Sequence, residues 1–241
     1  MKVFLLAHQD DEIFFVPHLL TEERKLIVFL TSGVASGIQS AALFERAKEA
    51  RCIFEKHLAP LNSEVIWLGL DNVIPEGELH KFIRYELVVE IIKLIKSRKF
   101  EITEVLTTTF EGAHQDHDSA AVIARRIAKE LQVDVVEIST YPQWFSHFYS
   151  FKVLSPKYPY IEFKFNRLKA LLFALILMWS YKTQRRTWLG LGLGVLWVYG
   201  FRPYRSSKPI EIGTINSCLY EFRGRRKQRE VLGGLAGFDS F

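Results

Sequence analysis

Short apolar runs of strand length punctuate the first half of the chain, at residues 2–7, 26–30, 65–68, 102–108 and 133–138. Their apolar character is nearly continuous rather than alternating. That is the pattern of strands covered on both faces, as in parallel sheets. Between them lie stretches with apolar positions three or four apart, which predict helices over 11–22, 39–58, 79–97 and 117–131. In 39–58 the spacing is carried by Leu43, Ala47, Ala50 and Phe54. Pro17 implies a kink or a late start in the first helix. Strands alternating with helices are the mark of βαβ units. The expected fold is α/β, a Rossmann-like three-layer sandwich with a mostly parallel sheet in the order 3-2-1-4-5.

Beyond Tyr141-Pro142 the pattern changes, so residues 1–142 read as the catalytic core and 143–241 as an extension completing the same domain. Pro156, Pro159 and aromatics such as Trp144, Phe148 and Tyr160 suggest irregular structure and antiparallel strands at the sheet's edge. Two apolar runs follow, 171–179 and 188–199, separated by Lys182, Arg185 and Arg186. Each is short of the roughly 20 residues that span a bilayer. They fit either two helices packed on the sheet or a hairpin dipping into one leaflet. Gly190, Gly192 and Gly194 weaken the second run as a helix.

Composition adds a few bounds. The 241 residues are 49% apolar, ample for a core without disulfides. Cys52 and Cys218 stand far apart with no CxxC partner, which argues against a thiolate zinc site and fits a reducing compartment. The net charge is +5, with much of the excess in Arg223-Gly224-Arg225-Arg226-Lys227-Gln228-Arg229. That block reads as a solvated tail or as a contact for anionic headgroups, so peripheral membrane contact through 168–200 and the tail is one expectation. Apolar residues after Lys2 are too few for a secretory leader, and the expected location is cytoplasmic. No nucleic-acid partner is expected.

Chemistry gathers at two strand ends. Ala7-His8-Gln9-Asp10-Asp11-Glu12 follows the first strand, and His114-Gln115-Asp116-His117 follows the fourth. With strands one and four adjacent, groups at their carboxyl ends converge in one crevice. His8 and Asp11 are three apart, as are His114 and His117, so each pair can face one point. Two histidines and a carboxylate form a common catalytic zinc set, with a position left for water. A spare carboxylate can take the water's proton; Asp10, next to a ligand, is better placed than Glu12. A spare histidine, His114, could be protonated and stabilise an oxyanion or protonate a leaving amine.

The first cluster resembles the A-H-P-D-D-E motif of the PIG-L/LmbE-like zinc deacetylases, and the second resembles their H-x-D-H motif. Thr31-Ser32-Gly33, Arg46-x-x-Glu49 and Tyr181-Lys182-Thr183-Gln184 are similar more weakly. Gln9 and Gln115 stand where that family usually has proline. The resemblance implies zinc, or another divalent metal such as iron, on His8, Asp11 and His117. It implies Asp10 as general base, His114 as oxyanion stabiliser and Asp116 as the group that orients a histidine. It implies Arg46 and Asp71 as sugar or phosphate contacts. The implied activity is removal of the acetyl group from an N-acetylglucosamine-like sugar, whether free, nucleotide-linked or lipid-linked. Other readings are an amidase on a larger sugar conjugate and a membrane-peripheral binding protein without catalysis. Dinucleotide binding is disfavoured, because carboxylates rather than glycines follow the first strand.

Overall fold

The computed structural model describes residues 1–37, 40–110, 114–140, 154 and 160–209. Five parallel strands form its centre: β1 (Lys2–Leu6), β2 (Lys25–Phe29), β3 (Ser63–Ile66), β4 (Glu104–Thr108) and β5 (Asp134–Ile138). β1 lies between β2 and β4, with Leu6 opposite Phe29 and Leu5 opposite Thr107. Two antiparallel strands, β6 (Tyr160–Phe163) and β7 (Tyr204–Ser207), extend the sheet beyond β5. The full order is β3-β2-β1-β4-β5-β7-β6. The expected order of the five parallel strands stands, and the extension lengthens the same sheet. Most of the aromatic segment 144–160, the basic block at 223–229 and Cys218 lie outside the described residues.

Among the described residues seven α-helices cover the sheet: α1 (Val16–Leu19), α2 (Ser40–Ile53), α3 (Leu68–Asp71), α4 (Tyr85–Lys96), α5 (Gln115–Leu131), α6 (Arg167–Ser180) and α7 (Arg185–Phe201). Successive strand side chains point to opposite faces, and each face has its own core. Phe4, Leu6, Ile27 and Phe29 pack against α1, α2, α6 and α7. Val3, Leu5, Leu26 and Val28 pack against α4 and α5, through Val88, Ile91, Ala120 and Ile127.

The helices differ from the periodicity in instructive places. The first predicted helix is a 3₁₀ turn, Asp11–Phe15, then α1 with Pro17 in its first turn, where a missing N–H does no harm. The second ends in a π turn at Phe54–Leu58, and the third is preceded by a separate 3₁₀ turn at Leu79–Phe82. The glycine-rich run is a helix after all. Gly192 lies against Met178 of α6, where a Cβ would come within 3.1 Å of its sulfur, so small residues let the two helices approach. Burial of Trp188, Val195, Val198 and Tyr199 offsets the poor propensity.

Candidate metal centre and active site

The order reversal between β1 and β4 sets the site. Beyond β1 the chain turns through Ala7–Asp10 into the 3₁₀ turn, and beyond β4 it enters α5 at Gln115. Their carboxyl ends are neighbours, so the two polar clusters meet.

His8, Asp11 and His117 are all buried, and one ligand atom from each lies within 4.8 Å of the others. His117 Nε2 is 3.1 Å from Asp11 Oδ1, and His8 Nδ1 is 3.5 Å from Asp11 Oδ2. Donors about 2.1 Å from a tetrahedral zinc stand about 3.4 Å from one another. The set therefore fits a divalent cation. The remaining ring nitrogens are tied back: His8 Nε2 lies 3.0 Å from Asp116 Oδ2, and His117 Nδ1 lies 3.0 Å from Thr140 Oγ1. Such partners fix the orientation of metal-binding histidines.

Asp116 does more than orient His8. It also accepts from the Gly77 amide at 2.5 Å and the Leu79 amide at 3.1 Å. Burial would raise its pKa, yet the hydrogen bond and charge of His8, with further help from His114 and Gly77, hold it down to about 2. Gln115 donates to the Gly77 carbonyl beside it. The loop after β3 is thus clamped onto the site, and it carries Glu76 to the cavity wall.

Burial works against ionised His8, but the charge of Asp11 and hydrogen bonds to Asp11 and Asp116 hold its pKa well above the ordinary value. Asp11 is the converse: burial opposes its charge, while His117 and His8 hold its pKa well below the usual range. Asp10 differs from both. Burial pushes it up to about 6 against the pull of Arg46. Its backbone sits at φ 153°, which non-glycine residues rarely adopt. Arg46 holds that turn by donating to the Gln9 carbonyl and, at 3.1 Å, to Asp10 Oδ1.

His114 completes the cluster, its ring centroid 4.9 Å from that of His8 and 4.7 Å from that of His117. The expectation of a protonated His114 does not hold. Burial, then the charges of His117 and His8, push its pKa down to about 3, so it is a neutral imidazole.

Arg46 is no exposed helix residue. Its side chain is buried on α2, between Asp10, Glu49 and Thr183. Asp71 is not brought to the site: it is exposed at the end of α3, and Glu76, five residues on, lines the cavity instead. Pro75 and Gly77, with Gly77 at φ 83°, were the signal that this loop turns back toward the sheet.

The sequence also undervalued Glu12. It is fully buried behind Asp11, accepts from the Tyr181 hydroxyl at 2.5 Å, and is pushed by burial up to about 8. The segment after α6 closes the site further, because Thr183 binds both Glu49 and Arg46. The cavity, about 160 Å³, is bounded on one side by His8, Asp10, Asp11 and His114. On the other side stand Thr187, Trp188 and Leu191 of α7. Periodicity gave no sign that α7 forms that wall.

A comparison with curated protein sequences gave no match. Among solved structures, a triple mutant of a deacetylase of teicoplanin biosynthesis is similar at 16% identity and TM-score 0.59, over 85% of this chain and 95% of that one. The A40926 pseudoaglycone deacetylase Dbv21 is 16% identical, with TM-score 0.54 over 80% of this chain and 85% of that one. The N,N'-diacetylchitobiose deacetylase from Pyrococcus horikoshii is 15% identical, with TM-score 0.54 over 86% and 82%. At such identities the likeness is one of fold. The sequence profile described as PIG-L, GlcNAc-PI de-N-acetylase, matches residues 3–128 and so takes in both polar clusters. That is more than half of the chain, and the protein belongs to the PIG-L family.

Proposed function

We infer that the chain is a metal-dependent hydrolase that removes the acetyl group from an N-acetylated amino sugar. One observation carries this reading: His8 and Asp11, which with His117 make up the ligand set, line one cavity together with a raised-pKa carboxylate at Asp10 and a neutral His114. Zinc or a similar divalent cation held by that set supplies Lewis acidity to the acyl oxygen and lowers the pKa of water.

Asp10 takes the proton of the attacking water as its oxygen bonds to the acetyl carbon. A carboxyl near pKa 6 holds that proton well enough to accept it and loosely enough to return it. His114 donates an N–H hydrogen bond to the carbonyl oxygen as negative charge gathers there. When the C–N bond breaks, Asp10 passes its proton to the amine nitrogen, leaving acetate and a free amino sugar. Arg46 keeps Asp10 aimed and its turn in place, and it also lines the cavity, where the substrate contact expected from sequence can be made. Trp188 and Leu191 offer an apolar wall on which the face of a sugar ring can rest.

The structural relatives known as a diacetylchitobiose deacetylase and a pseudoaglycone deacetylase, and the family description itself, support an amino sugar attached to a larger group. The test is acetate release by the zinc-loaded protein from N-acetylglucosamine, diacetylchitobiose and N-acetylglucosaminyl-phosphatidylinositol. Asp10→Asn is expected to lower turnover by about 10²- to 10⁴-fold while zinc stays bound. A fully active Asp10→Asn protein would overturn the assignment of the base. No acetate from any member of the panel would overturn the reaction.

A further inference from the structure

The α6–α7 hairpin has two sides. Its inner side packs on the sheet through Ala170, Ala174, Leu177, Val195 and Val198. Its outer side is apolar and uncovered by any described residue: Leu172, Ile176 and Trp179 on α6, and Leu189, Leu193 and Phe201 on α7. These recur at helical spacing on both helices, so they form one surface rather than scattered side chains. Trp179 is 75% exposed and Leu189 77%. A contiguous patch of large apolar residues on this scale marks an interaction surface.

Charge says what fits it. From residue 163 to residue 209 the chain carries nine lysines and arginines and no aspartate or glutamate. Lys182, Arg185 and Arg186 ring the tip of the hairpin, with the Arg185 guanidinium 5.0 Å from the Trp179 ring centroid. Lys169 and Arg202 are exposed at the opposite end, beside Leu168 and Phe201. An apolar face with aromatics, rimmed by cations, is the pattern of helices that lie in a membrane interface. The hairpin itself carries no acidic group for anionic headgroups to repel, and Glu49, which meets Thr183 at its tip, is paired with Arg46.

Length argues for lying on the membrane rather than crossing it. The 14 residues of α6 and 17 of α7 extend about 21 and 26 Å, against about 30 Å of hydrocarbon. Among the described residues no helix is long and apolar enough to cross.

We propose that the outer face of the α6–α7 hairpin seats on an anionic lipid bilayer, with Leu172, Ile176, Trp179, Leu189 and Leu193 entering the interface. The inner side of the same α7 turn lines the cavity through Thr187, Trp188 and Leu191. Seating the hairpin therefore brings the catalytic cavity to the headgroup layer. The binding is separate from the proposed reaction and requires neither metal nor turnover.

The test is co-sedimentation of the full chain with vesicles of phosphatidylcholine containing about 30 mole per cent phosphatidylglycerol, and with pure phosphatidylcholine. Binding to the anionic vesicles is expected, falling as salt rises through about 0.5 M. Ile176→Glu and Leu193→Glu are each expected to weaken binding about tenfold or more, with circular dichroism and hydrolysis of soluble N-acetylglucosamine unchanged. Brominated lipid should quench the wild-type tryptophan emission, and Trp179→Phe should remove most of that quenching, a readout that needs no new charge in the protein. Equal binding to both vesicle types, or quenching indifferent to Trp179→Phe, overturns the proposal. So does a wild-type dimer that Leu193→Glu makes monomeric, which assigns the face to a second copy. Monomer left in the supernatant also overturns it. Vesicle binding by a protein that releases no acetate leaves this proposal standing and removes the reaction instead.

Discussion

Asp116 shows how much one side chain can organise. Its two oxygens meet His8 and two backbone amides of the Glu76 loop, so it fixes a ligand and a cavity wall together. Asp116→Asn replaces an acceptor by a donor at one of those places. Zinc affinity, measured by competition with a chelator, should fall about 10- to 100-fold. His18 makes the opposite case, a histidine with no role in the site. It is buried against Phe163, ring centroids 4.2 Å apart, and neither ring nitrogen has a hydrogen-bond partner among the described residues. Burial, then the charge of Lys2, lowers its pKa to about 3. The unfolded chain takes up this proton near pH 6.5 while the folded chain refuses it. The contribution is thus fully present above pH 6.5 and is lost as pH falls toward 3. Between pH 6.5 and 5 the loss should approach roughly 2 kcal/mol. Urea unfolding of the wild type and of His18→Phe at both pH values isolates that difference, and an identical pH dependence in the two proteins would falsify it.

At the scale of elements, the 3₁₀ turn that carries Asp11 is held from far along the chain. The Tyr199 hydroxyl donates to the Ile13 carbonyl at 2.5 Å, and Tyr204 donates to the Phe14 carbonyl at 2.8 Å. Tyr181 reaches Glu12 in the same turn. A 3₁₀ turn leaves carbonyls without partners, and buried ones must find donors. Here Tyr199 of α7 and Tyr204 of β7 supply two of them, while Tyr181, just after α6, donates to the Glu12 carboxylate. The extension is therefore the back wall of the site, not an appendage. Tyr199→Phe keeps the packing but strands a buried acceptor, so stability should drop by about 1–3 kcal/mol in chemical denaturation. A second packing constraint lies at α3. A Cβ on Gly69 would run into the Thr31 backbone, which has little room to yield because Thr31, just beyond β2, donates both its amide and its hydroxyl to the Ala7 carbonyl.

For the whole molecule, the ligands bridge two chain segments more than a hundred residues apart, β1 with its turn and the start of α5. A cation bound there favours the folded state only, because the unfolded chain does not hold the three groups together. Zinc at about 100 times its dissociation constant should add about 2.7 kcal/mol, seen as a rise in Tm that a chelator reverses and that His117→Ala abolishes. Uptake should also release protons near neutral pH, since His8 is held protonated by Asp11 and Asp116 and must be neutral to bind. The chain by itself determined the parallel core, its strand order and the convergence of the two clusters, because unbroken apolar runs and the crossover rule leave few arrangements for adjacent βα units. It also singled out His8, Asp10, Asp11, His114, Asp116 and His117, whose types and local spacing are properties of sequence. Only the tertiary structure decided what surrounds them. Arg46 became a buried brace, Asp71 was replaced by Glu76, Glu12 met Tyr181, and α7 became a cavity wall. Each of those pairings joins residues distant in sequence, and no local period encodes a distance between elements that only packing brings together.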